Sequence, residues 1–75
     1  MAKRRVMLSF PEELLKEPVT YNLGQQFKIV TNIQLAEISE STGWIVLELE
    51  GEEREIEDGI AWMTSKGVRV DPVGD

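Results

Sequence analysis

The chain contains no cysteine and no histidine. Without cysteine it forms no disulfide, zinc–thiolate site or iron–sulfur centre of its own. Without histidine it lacks the commonest zinc ligand and the usual general base at neutral pH. No metal and no cofactor is therefore expected. Ser9, Ser39, Ser41 and Ser65 have no imidazole to activate them and Tyr21 stands alone, so the sequence predicts no enzyme. Long apolar runs are also missing. Nothing approaches the ~18 consecutive apolar residues that read as a membrane span. The basic start, Lys3, Arg4 and Arg5, is followed only by the short run Val6 to Phe10, too little for a signal-peptide core. Together with the absence of cysteine, this predicts a cytoplasmic protein without a membrane span. Bases are in the minority, 8 against 14 acids, for a net charge of −6. Such a chain repels phosphate backbones, and no nucleic-acid partner is expected.

What is present is 75 residues, read as one domain over 1–75 with a core of about 4–73. A chain of this length buries only about 60–65% of the surface it exposes when unfolded. Oligomerisation is then the expected source of additional stability, since disulfides and metals are excluded.

Residues 4–10 alternate as a strand, with Val6, Leu8 and Phe10 on one face and Arg5, Met7 and Ser9 on the other; Pro11 ends it. Residues 11–17 read as a charged loop. Pro18 suits a helix start. Val19, Leu23 and Phe27 recur at helical spacing, and the helix fades near Lys28. Gly24 inside it is expected to let the helix approach the sheet. Residues 29–38 form a second strand, with Ile33 and Leu35 on one face and Asn32, Gln34 and Ala36 on the other. Residues 39–43 make a hairpin loop. Residues 44–50 follow as a strand with Ile45, Leu47 and Leu49 inward.

A second helix spans about 52–66, with Ile56, Ile60 and Met63 buried, acids in its first turns and Lys66 in its last. Gly67 is placed as a left-handed cap. Residues 68–71 are the last strand, which Pro72 stops from extending. Trp62 belongs at the edge of the core. The order β-α-β-β-α-β predicts an α+β, ferredoxin-like sandwich: a four-stranded antiparallel sheet with two helices on one face, the first and third strands central.

Many activities share this architecture, so motifs must separate them. An RNA-binding version would carry aromatics and bases on the central strands. Here Gly43-Trp44-Ile45-Val46-Leu47-Glu48-Leu49-Glu50 has one aromatic and two acids. A metal-carrying version would need Cys-x-x-Cys, and a phosphate-binding version a Gly-rich loop where this chain has Pro11-Glu12-Glu13-Leu14-Leu15-Lys16-Glu17-Pro18. The acids from Glu48 to Asp58, broken only by Arg54, lack the fixed ligand pattern of a calcium loop. They read as a solvated face that complements the helix dipole. Lys3, Arg4 and Arg5 read as a solubilising terminus or as charge partners for another chain's acids.

A set of blocks in order carries a resemblance. They are Leu8-Ser9-Phe10-Pro11, Glu17-Pro18-Val19, Leu23 with Phe27, Thr31-Asn32-Ile33, Gly43 to Gly51, and Ile60-Ala61-Trp62-Met63 with Gly67-Val68-Arg69-Val70. Over roughly residues 4–73 the chain resembles the NIL domain. The resemblance implies a C-terminal regulatory module of methionine-importing ABC transporter ATPases, which pairs as a dimer and binds methionine, slowing transport. Such domains also stand beside ferredoxin-type iron–sulfur modules. The family's Asn-Ile-Leu appears here as Asn32-Ile33-Gln34, with a polar third residue.

Two readings follow. In the first, the chain is a regulatory, ligand-binding module for methionine or a related sulfur-containing amino acid. Asn32, Ile33 and Gln34 bind the ligand at a homodimer contact, and Met7, Trp44 and Val46 form an apolar patch on the open sheet face. In the second, the same surfaces bind only protein, a transporter or iron–sulfur partner, with no small ligand.

Overall fold

The computed structural model describes residues 1–74. Its elements are β1 (Ala2–Phe10), a 3₁₀ turn (Glu12–Leu14), α1 (Val19–Gln26), β2 (Ile29–Ile38), β3 (Gly43–Gly51), α2 (Glu53–Lys66) and β4 (Arg69–Pro72). The strands form one antiparallel sheet in the order β2-β3-β1-β4. This is the ferredoxin-like α+β arrangement, with β1 and β3 central and β2 and β4 at the edges.

Strict alternation in β3 divides the two faces. Ile45, Leu47 and Leu49 are buried, while Trp44, Val46, Glu48 and Glu50 are half-buried on the other side. Val6 stands opposite Leu47 and Leu8 opposite Ile45, so β1 lines the same buried face. Val19 and Leu23 of α1 and Ile56 and Met63 of α2 close over these residues in a single core. Trp62 packs at the rim of that core, its ring 6.0 Å from Phe27 and 5.4 Å from the Lys66 ammonium.

Glycine shapes both the course and the end of α2. Gly67 has φ 105 and ends α2, where its N–H donates to Thr64 and that of Val68 to Met63, each at 3.1 Å. The left-handed turn satisfies carbonyls that the helix end would otherwise strand. At Gly59 a Cβ would lie 2.8 Å from Ile29 Cδ1 and 2.9 Å from Leu23 Cδ1, so α2 crosses α1 and β2 there closely enough that those side-chain ends would have to shift to admit one. The close approach expected at Gly24 is absent, since its nearest neighbour would be the Ile29 carbonyl at 3.9 Å.

Several local expectations are corrected. β1 begins at Ala2, because Ala2 and Lys3 pair with Gly51 and Glu50; the basic residues are therefore strand, not terminus. Arg4 pairs within its own chain, with Glu53 at 3.4 Å. The loop after β1 contributes buried Leu14 to the core, and Pro18 caps α1 from outside rather than opening its first turn. Pro72 lies inside β4, and pairing continues past it through the Val73 N–H to the Arg5 carbonyl at 3.1 Å. An edge strand tolerates proline because one side of its ladder is empty.

The largest departure is in β2. Ile33 lies opposite Leu47, yet Leu35 lies opposite Val46, so Gln34 is an additional residue in the ladder. This β-bulge inverts the expected facing. Ile33 and Ala36 pair with helix-face residues of β3, whereas Asn32 and Leu35 pair with Glu48 and Val46 of the open face.

Candidate functional site

β2 is exposed along nearly its whole length; only Ile29 is buried and Thr31 half-buried. Val30, Ile33, Leu35 and Ile38 are 64, 54, 58 and 62% exposed. The strand carries no lysine, arginine or proline, and Glu37 is its one charge. An outer strand this long and aliphatic leaves a row of ladder groups open to pairing with another chain.

The sequence-predicted residues fall into two places. Asn32, Ile33 and Gln34 lie in the middle of β2, at the bulge, all exposed. Met7, Trp44 and Val46 share the open sheet face: Met7 stands directly opposite Val46, and Trp44 lies two residues along β3 on the same side. All three are half-buried. The bulge joins the two groups, because it brings Leu35 to the open face beside Val46. Leu35, Val46 and Met7 thus form one apolar row across β2, β3 and β1.

The neighbouring row is polar. Asn32 stands opposite Glu48, and Glu48 opposite Arg5. Among the described residues Arg5 enters no ion pair, and its Nε is covered without a hydrogen-bond acceptor. The pairs that form are Arg4 with Glu53, Lys66 with Glu17, and Arg69 with Asp71. Sequence reasoning gave Arg5 and Glu48 no role in this row; only cross-strand register brings residues 5, 32 and 48 together.

A separate concavity of about 130 Å³ opens between the start of α1 and the ends of β1 and β2. Phe10, Leu14, Leu15, Tyr21, Ile38 and Ile45 supply its apolar walls, and Glu17 its one charged side chain. None of the sequence-predicted site residues lines it. It offers room for an aliphatic group and no cation to hold an acid. No group of three or more acids placed to hold a metal ion occurs among the described residues, and no described helix is long and apolar enough to cross a membrane.

Comparison with protein families matches the NIL domain over residues 4–72. No curated protein sequence matches the chain. Among solved structures, the C-terminal domain of an ABC transporter/ATP-binding protein from Enterococcus faecalis superposes with a TM-score of 0.84 at 24% identity, covering 96% of this chain and 84% of that one. At that identity the likeness is one of fold.

Proposed function

Since this chain belongs to the NIL domain family, we propose that it is a non-catalytic, cytoplasmic regulatory module that forms a homodimer and binds methionine or a related sulfur-containing amino acid beside the dimer contact. The observation that carries this reading is the exposed β2 edge, with Asn32 at its centre and Val30, Ile33, Leu35 and Ile38 around it. An amino acid needs donors and acceptors for its opposite charges, which an Asn amide and open ladder groups supply. A thioether needs an adaptable apolar wall, and Met7, Val46 and Leu35 offer one. Trp44 extends the same face. The similarity to a transporter ATPase domain makes a transporter the favoured assembly partner.

The test joins sedimentation at micromolar concentration with calorimetry. The dimer should show twice the chain mass, and methionine should bind with Asn32→Ala weakening it by about 1–3 kcal/mol, the worth of one good polar contact. A monomer at ~100 μM would remove the dimer, since such a contact would then be weaker than about −5 kcal/mol. No amino acid bound at millimolar concentration would remove the ligand.

The second reading, a protein-only assembly module, is favoured by Gln34 at the bulge. There the family's apolar third residue is replaced by an exposed polar one. That reading takes the lead when the chain dimerises or binds a transporter or iron–sulfur partner yet no amino acid changes its stability.

A further inference from the structure

The concavity between the start of α1 and the ends of β1 and β2 takes no part in the reading above. Leu14, Val19 and Ile45 in its wall are buried, whereas Tyr21 and Ile38 at its mouth are 66 and 62% exposed. Its walls are held from two sides. A Cβ on Gly43 would stand 2.6 Å from Leu15 Cδ2 and 3.5 Å from Ile38 Cγ1, so Leu15 and Ile38 both pack at the base of the β2–β3 hairpin. On the other side Lys66, at the end of α2, reaches Glu17 Oε1 at 3.2 Å. The hollow is therefore preformed.

Its size selects what can fill it. A cavity of about 150 Å³ lined by Leu, Ile and Phe takes a benzene ring, whereas whole small-molecule ligands occupy roughly 300–1,000 Å³. At about 130 Å³ this hollow admits one branched aliphatic side chain, and the rest of its owner stays outside. What surrounds the mouth selects the charge. Glu17 lines it. Glu12 and Glu13 stand exposed in the 3₁₀ turn leading into Leu14, and Glu40 stands exposed in the hairpin just past Ile38. Of the nearby bases, Lys66 is engaged by Glu17 and Lys16 is alone in its loop.

We propose that this concavity is a docking site for a basic peptide segment of a partner protein, which inserts one leucine-like side chain and lays lysines or arginines against the acids at the mouth. The inference goes beyond the ligand and dimer reading and does not depend on it. A peptide suits the site because the acids are spread along two loops, farther than one small amine spans. The exposed Tyr21 ring offers a cation–π surface to a passing base. Copies of this chain do not supply such a segment. Lys3, Arg4 and Arg5 lie in the central strand β1, and Arg4 is paired with Glu53.

Calorimetry on the full chain tests this with three N-acetylated, C-amidated peptides: Lys-Lys-Leu-Lys-Lys, Lys-Lys-Ala-Lys-Lys and Glu-Glu-Leu-Glu-Glu. The first should bind below about 1 mM, the second about 10-fold more weakly for want of its anchor, and the third not at all. Tyr21→Ala and Glu17→Gln should each weaken the first peptide by about threefold or more. Glu57→Gln, which removes an equal charge from the exposed side of α2, should leave it unchanged; an equal loss there would reduce the effect to net charge and overturn the assignment. So would equal binding of the leucine and alanine peptides, saturable binding of the acidic one, no binding of the first at millimolar concentration, or wild-type affinity in either Tyr21→Ala or Glu17→Gln. Sedimentation supplies a further check: if Tyr21→Ala abolishes self-association, the occupant is a second copy and the peptide proposal falls. Tyr21 and Glu17 are both exposed, and thermal unfolding of each variant separates lost binding from lost fold.

Discussion

β3 and β2 lie side by side, and both are rich in aliphatic residues. In β3 every second residue is buried, Leu47 and Leu49 completely. In β2, past Ile29, no residue is buried. The difference comes from position: β3 has a strand on each side and helices over one face, whereas β2 has a strand on one side only. Aliphatic residues in the first setting hold the fold together. In the second they remain in water, where burial against something outside the chain is the gain still open to them.

Leu47 and Ile33 stand opposite each other in the ladder and give the sharpest test. Leu47→Ala should destabilise by about 2–5 kcal/mol, a large share of what a small domain holds. Ile33→Ala should cost about 1 kcal/mol or less when unfolding is followed by urea denaturation at low concentration. Equal losses would mean that β2 contributes to the fold as β3 does.

The helices allow a similar contrast. Gly59→Ala forces a methyl group against Ile29 and Leu23 and should destabilise by about 1–3 kcal/mol. Gly24→Ala meets nothing closer than 3.9 Å and should stabilise by about 0.5–1 kcal/mol, the helix preference for alanine over glycine. Thermal denaturation reads both, and an opposite order would contradict the crossing at Gly59.

On the β2 edge, Leu35→Lys should weaken dimerisation by about tenfold, or 1.4 kcal/mol, while leaving the unfolding of the dilute monomer unchanged. Sedimentation over a dilution series separates the two quantities, and an unchanged association constant would take Leu35 out of the contact. The smallest effect belongs to Arg4→Gln. Its pair with Glu53 is solvent-facing, so about 0.2–1 kcal/mol is expected, disappearing in molar salt.

The sequence made the element order legible because hydrophobic period and glycine placement are local signals. Gly67 is the clearest case, with its φ of 105. Facing within β2 was not legible. Ile33 and Leu35, separated by one polar residue, read as one face under a period of two, and an added residue inverts that reading without changing a letter of the pattern. Leu14 was hidden by the charged residues around it, although it is buried. The row of Arg5, Glu48 and Asn32 joins residues far apart in the chain, and only strand register, set by the fold as a whole, aligns them. Asn32 itself was identified from the family's motif rather than from its surroundings.

The opposite edge of the sheet sets a limit on the proposed assembly. β4 has only four residues, among them Pro72, and its Arg69 and Asp71 are joined at 3.0 Å. Such a strand is a poor template for another. The sheet therefore has a valence of one: a neighbour can be added along β2, and the composite then presents a β4 at each outer margin. On the proposed pairing, growth by strand addition stops at two chains, because neither outer margin then offers a long open strand.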